Sequence, residues 1–356
     1  MVSCAAGLLL PCSLDAATEA RRVEYDVRQQ LVVNAPPGTR HLRIWFAMPV
    51  RESHQDIENF RVLAPSPHRR VQDQAGNRQV FIETQPPFEE VYVITQTFRL
   101  IRTEQISGVH PEFTRPMDEA ERTALAPFLA PGRTFPVDEA MRELAGGIVE
   151  GETNPTLAAR RLYNWVLDHA EYWVKDPDRY AASGAAGAHV CLKTGSGDST
   201  DLHALWVSLA RSAGIPSRLV YGTVLNTELN RMDADLGARC WAEFYAPGYG
   251  WVPLDVATAD LFSGAYPIHD RNGRRVRLAT PDGYRGPSRD KVDFYFGNLD
   301  ARRLVLSRGS DLALNPPAAA GLVPDMAKAY VEADGAVLPE GSGWSRKLTY
   351  RQRKSN

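Results

Sequence analysis

The chain has 356 residues, 44% of them hydrophobic and 24% charged, with a formal net charge of -2. That length can bury a full core and favours two domains over one. The near-neutral balance, without a long basic run, excludes the electrostatic footprint of a nucleic-acid partner, and no apolar run reaches the ~18 residues of an integral membrane span.

Residues 1–20 stand apart. CAAGLLLP, from Cys4 to Pro11, has the length of a signal-peptide apolar region, and Ala16 and Ala17 follow as a cleavage zone, yet no Lys or Arg precedes it. A leader with a displaced start and an ordinary terminal tail both fit. Removal of a leader takes Cys4 and Cys12 with it and leaves Cys191 and Cys240, either two buried thiols or, in an oxidising compartment, a disulfide.

From 21 to 103 the apolar period is two. Leu42, Ile44, Phe46 and Met48 alternate with polar or opposite-face neighbours; Tyr92, Ile94, Phe98 and Leu100 do the same. Val71 and the run Val80 to Ile82 flank a turn at Ala75-Gly76-Asn77, so this segment is expected to be an antiparallel β-sandwich. It contains no cluster of nucleophile, base and acid. Residues 104–136, with five prolines between Pro111 and Pro136, read as a linker holding one short acidic helix near 118–129.

The remainder, 137–356, changes period. Asn154-Pro155 offers an N-cap and a proline at the first helical position, followed by the apolar stripe Leu157, Ala158, Leu162, Trp165 and Val166, which predicts a helix to about Ala170. His169 and His189 are isolated packing or surface residues, and no spacing matches a metal site, so no metal or cofactor is expected. In GDSTDLHALWVSLARSAGIP, residues 197–216, Leu202, Leu205, Trp206, Leu209, Ala210 and Ala213 lie on one helical face. Asp198, Ser199 and Thr200 supply capping oxygens, and Gly214 with Pro216 ends the helix. Ser199 is thereby presented at the positive end of a buried helix, where a developing anion is stabilised. Asp198 and Asp201 cap and solvate that end.

Residues 218–225 read as a strand. On the next strand Arg239, Trp241, Glu243 and Tyr245 share one face, and Cys240, Ala242 and Phe244 the other. If residues 246–250 close an antiparallel hairpin, parity puts Asp255 on the face of Arg239 and Trp241, where guanidinium and carboxylate are expected to pair. Residues 264–293, with Arg271, Arg274, Arg275, Arg277, Arg285 and Arg289, read as a long loop region and a solvated basic surface. Asp334-Gly335 predicts a last hairpin and Tyr350 a terminal strand.

GSGDSTDLHALW followed by ARCWAEFYAPGYGWVPLD resembles the core of bacterial transglutaminase-like domains, which share the papain-like cysteine-protease fold. The likeness runs more loosely from RIWFAMPV to FGNLDARRLVLSRG. It implies an α+β fold, a β-sandwich followed by a transglutaminase-like domain, and a protein exported to a periplasm or secreted, with the cytoplasm as the alternative. In that family the motifs carry a Cys nucleophile, a His base and an orienting Asp. Here the matching positions hold Ser199, Arg239 and Asp255, with Asp198, Asp201, His203 and Trp241 in support.

A serine hydroxyl needs a base to take its proton, and a guanidinium with a pKa above ~12 cannot be one. The resemblance therefore implies a catalytically inactive member that keeps a cleft for a peptide or protein segment. The alternative is an amide hydrolase or acyl transferase with a rewired site, using Ser199 or a displaced Cys191 or Cys240, with His203, one helical turn beyond Ser199, as a relocated base. An engineered Cys-to-Ser exchange would account for Ser199 but not for Arg239.

Overall fold

The computed structural model describes residues 20–86, 91–180, 187–267 and 279–354. The chain opens with β1 (Arg22–Asn34), β2 (Leu42–Ala47), β3 (Gln55–Leu63), β4 (Arg69–Gln72), β5 (Arg78–Thr84), β6 (Val91–Thr103) and the short β7 (Gln105–Ile106). In β1 the alternation puts Val23, Tyr25, Val27, Leu31 and Val33 inward, each at most 6% exposed. That period of two makes one face of each strand apolar, and two such faces bury each other.

Helices then dominate. α1 (Glu119–Leu125) carries an Asp118–Glu121 capping box; α2 (Glu139–Val149) and α3 (Pro155–His169) follow, α3 capped by Asn154 with Pro155 in its first turn. After them come β8 (Glu171–Tyr172), α4 (Ala188–Thr194), β9 (Ser196–Gly197) and α5 (Ser199–Ser212). The chain then lays down β10 (Ser217–Val224), β11 (Ala238–Ala246) and β12 (Gly250–Leu254), with α6 (Val256–Asp260), α7 (Arg289–Phe294), β13 (Asn298–Leu299) and β14 (Arg303–Arg308) after them. An antiparallel sheet of order β12-β11-β10-β14 forms, with α5 against β10 and β11. Leu202, Leu205, Trp206 and Leu209 of α5 meet Leu219, Ala242 and Phe244 of the sheet in one buried cluster.

The last strands, β15 (Ala329–Ala333), β16 (Ala336–Val337) and β17 (Trp344–Gln352), return to the sandwich, whose sheets have the orders β17-β1-β6-β3 and β16-β15-β2-β5-β4. The expected division grouped these strands with residues 137–356. Their hydrogen bonds run to β1 and β2 instead, because both strands had an unpaired edge. Asp334 and Gly335, at φ 51° and 82°, make the tight β15–β16 turn. The sandwich and the α5-bearing unit are joined by an apolar cluster of Tyr25, Val27, Phe98 and Leu100 with Leu304 and Leu306 of β14. Beside it the buried Gln55 accepts from Val305 N–H at 2.8 Å and donates to the Val305 carbonyl at 2.9 Å, which also accepts from Val50 N–H at 3.1 Å.

Candidate functional site

The N-terminus of α5 is built from two carboxylates. Asp198 Oδ1 accepts from the backbone N–H of Thr200 and Asp201 at 2.7 and 3.1 Å, and Asp201 returns the bond by accepting from Asp198 N–H at 2.9 Å. Asp201 also accepts from Gly187 N–H at 2.9 Å. A Cβ at Gly197 would lie 2.4 Å from Asp201 Cβ, so only glycine lets this reciprocal cap close. Burial, with the Asp201 charge beside it, raises the Asp198 carboxyl to about 6.

Ser199 is 7% exposed. Among the described residues, its hydroxyl has one hydrogen bond, accepted from Cys240 N–H at 3.4 Å. His203, fully buried, turns Nδ1 to the Ser199 carbonyl at 2.5 Å and accepts Val256 N–H on Nε2 at 3.0 Å. These partners assign the proton to Nδ1 and use both ring nitrogens. Burial lowers the imidazole pKa, against the Asp255 charge and the Ser199 carbonyl, so the ring is neutral. The relocated-base expectation for His203 is thus overturned: neither nitrogen faces the Ser199 hydroxyl.

Asp255 follows the last paired residue of β12 and leaves the ladder to cap α6, accepting from Thr258 N–H and Oγ1 at 2.7 Å each. Its Oδ2 lies 2.5 Å from Nη1 of Arg303, and its Oδ1 is 3.5 Å from His203 Nε2. Burial opposes ionisation, but the Arg303 charge and the Thr258 bonds hold the carboxyl below its usual range. Arg303 is itself 1% exposed, spans to Asp300 at 3.0 Å, and lies 5.2 Å over the Trp241 ring.

The pair expected between Arg239 and Asp255 is not made. Asp255 has turned out of the strand towards Arg303, while Arg239, near the start of β11, donates from Nη1 to the Tyr172 hydroxyl at 2.8 Å, with its guanidinium 5.5 Å over that ring. Arg239 Nε is buried without a hydrogen-bond partner. Burial pushes the Tyr172 phenol up to about 12, against the opposing Arg239 charge, so Arg239 faces a neutral group. A cavity of about 150 Å³ adjoins Arg239, Thr258 and Arg303.

Sequence reasoning missed Tyr172 and Arg303. The signal for Arg303 was present: an arginine inside the apolar strand ARRLVLSRG needs a buried carboxylate. Tyr172 closes a two-residue parallel pairing with β9, a contact without a sequence pattern.

Cys191 and Cys240 are both buried and free, so the disulfide alternative is overturned. Cys240 lies under α5, its Sγ 3.2 Å from the Ser199 carbonyl. Burial pushes the Cys191 thiol up to about 12 and the Cys240 thiol well above its ordinary value, which removes both as displaced nucleophiles near neutral pH. His169 stacks on Trp165 and His189 pairs with Asp138 at 2.9 Å. Among the described residues, no group of three or more His, Cys, Asp or Glu side chains could hold a metal ion, and no helix is long and apolar enough to cross a membrane. Residues 1–19 and Arg271, Arg274, Arg275 and Arg277 lie outside the described residues; Arg289 pairs with Asp293 at 3.3 Å.

Residues 142–256 match the family model of the transglutaminase-like superfamily. An uncharacterized protein of Haemophilus influenzae is 24% identical over 95% of this chain and 92% of its own length. A solved protein from Cytophaga hutchinsonii, described provisionally as a cysteine protease, superposes with a TM-score of 0.58 over 95% of this chain and 93% of that one, at 14% identity. The periplasmic domain of TgpA from Pseudomonas aeruginosa is matched over 74% of this chain and 99% of that one, at 14% identity and a TM-score of 0.35. The matched segment spans the capped helix packed on the antiparallel sheet, so residues 142–256 are similar in sequence to the transglutaminase-like superfamily and share their fold with the Cytophaga protein.

Proposed function

We propose that Ser199, Arg239 and Asp255 occupy the nucleophile, base and acid positions of this domain, and that the domain binds a peptide or protein segment without performing acyl transfer on it. The observation that carries the reading is the surroundings of the Ser199 hydroxyl, which accepts a backbone N–H and has no proton acceptor within hydrogen-bond reach among the described residues. An alcohol in that setting stays protonated at neutral pH, and the α5 N-terminus has no thiolate to stabilise. Loss of nucleophile and base together removes on the order of 10⁶ in rate, and restoring either alone recovers little because the two act as a unit. Export to a periplasm belongs to the same proposal and is tested by sequencing the N-terminus of the protein recovered from fractionated cells.

Incubation with glutamine-containing peptides and an amine donor tests the chemistry. The expected result is no transamidation or hydrolysis above background, unchanged in Ser199→Ala. Turnover abolished by Ser199→Ala supports the rewired hydrolase instead. One feature favours that second reading: Asp198, next to the serine, carries a carboxyl raised to about 6, a value suited to a general base. Its Oδ1 is committed to the helix cap, which weighs against it. In Ser199→Cys with Arg239→His, an imidazole is expected to gain little turnover, because Asp255 is already held by Arg303 and Thr258.

A further inference from the structure

We infer that the cavity beside Arg239 is a carboxylate-binding site for an acid carried on a small apolar group, foremost the C-terminal residue of a peptide. This rests on the proposed loss of catalysis only in so far as Arg239 is free for another task.

Charge is the first argument. Three carboxylates line the cavity: Asp282 pairs with Arg302, Asp300 binds Arg303 and accepts from Arg302 N–H at 2.9 Å, and Glu104 accepts from the backbone N–H of Arg21 at 3.4 Å. Arg239 and Lys291 have no carboxylate partner among the described residues. Arg239 is partly buried, its neighbour is a neutral phenol, and its Nε–H is unsatisfied. A guanidinium withdrawn from water is costly until an acceptor reaches it, and its planar fork matches a carboxylate. Shape is the second argument. The volume of about 150 Å³ is that of a site that holds a six-membered ring, and Phe262, Phe294 and Tyr295 supply apolar wall, with the Phe294 ring 5.3 Å from Lys291 Nζ. A free phosphate or sulfate would leave that wall bare.

The probe is an N-terminally labelled peptide ending in a free phenylalanine carboxylate, compared by fluorescence anisotropy with its C-terminal amide, and N-acetylphenylalanine measured by calorimetry, all with the full chain. The acid peptide is expected to bind about tenfold to a hundredfold tighter than the amide, the range of a charge-assisted hydrogen bond. Arg239→Gln should reduce that ratio to near one, and Arg239→Lys should leave it intermediate. The ratio is internal to each variant, so a partly destabilised protein still reports it. Equal binding of acid and amide overturns this inference and leaves the peptide-binding proposal standing. Arg239-dependent binding of N-acetylphenylalanine with no peptide binding supports the carboxylate site and overturns the peptide proposal. Binding of neither at millimolar concentration overturns both.

Discussion

Replacing Asp255 by Asn tests what this carboxylate is for. It is 1% exposed, as is Arg303, and the two meet at 2.5 Å while Thr258 supplies two further bonds at 2.7 Å. The amide keeps one capping acceptor but sets a neutral group against a buried guanidinium. Breaking a buried ion pair from one side costs about 3–5 kcal/mol. Arg303 retains Asp300, at 3.1 Å from Nε and 3.0 Å from Nη2, so the expected loss lies at the lower end, about 3 kcal/mol at pH 7. The Asp255 carboxyl titrates below its unfolded value near 3.8, so its contribution is present above that pH and fades as pH falls through the folded value. Urea denaturation of the wild type, Asp255→Asn, Arg303→Met and the double variant should give a coupling energy near 3 kcal/mol that shrinks in acid. A parallel cycle of Asp255→Asn with Arg239→Met should give coupling near zero. A larger coupling to position 239 than to position 303 would refute the geometry argued for this site.

Asp198 makes the opposite prediction with pH. Its folded pKa, about 6, lies above the unfolded value near 3.8, so the folded state binds the extra proton and stability falls as pH rises through that window. Asp198→Asn keeps a capping oxygen and removes the charge, so melting temperatures of variant and wild type should diverge in the variant's favour between about pH 4 and about pH 6 and run parallel above that. At Gly222, where the β10–β14 register shifts, a Cβ would lie 2.0 Å from the Leu304 carbonyl oxygen and 2.8 Å from the Trp241 ring. Gly222→Ala should therefore cost about 3 kcal/mol in the same denaturation assay, and a neutral result would show that β14 can move. Neither Cys191 nor Cys240 should react with a thiol reagent until the protein unfolds, read in a Cys4→Ser, Cys12→Ser background.

The elements were legible where a local period or cap dictates them. Asn154-Pro155 opened α3, and Asp198 with Asp201 closed the cap of α5 at the residues expected. The hairpin register of β11 and β12 also followed parity as far as Leu254. One residue later parity ceased to apply, because a residue that caps a helix has left the strand, and the Arg239–Asp255 pair was lost with it. Long-range choices were not legible. Nothing local to Trp344–Gln352 says that it will pair with β1, more than 300 residues away, and nothing local to β14 says that its first arginine will reach Asp255.

That long-range arginine explains how position 239 tolerates a guanidinium. Were Asp255 dependent on residue 239 for its counter-charge, replacing a base there would strand a buried carboxylate. Arg303 compensates Asp255 whatever stands at 239, so a guanidinium at 239 leaves the acid undisturbed and stands beside Tyr172 and the cavity. Two opposed terms then decide the stability effect of Arg239→Gln. The variant loses one charged hydrogen bond to Tyr172, about 1.5–3 kcal/mol, and relieves a buried N–H without a partner, about 1–3 kcal/mol. The two nearly cancel. Without ligand, Arg239→Gln should therefore shift stability by less than about 1 kcal/mol, against about 3 for Asp255→Asn in the same urea titration. A loss as large as that of Asp255→Asn would mean that the guanidinium is held by the fold and is not available to a ligand.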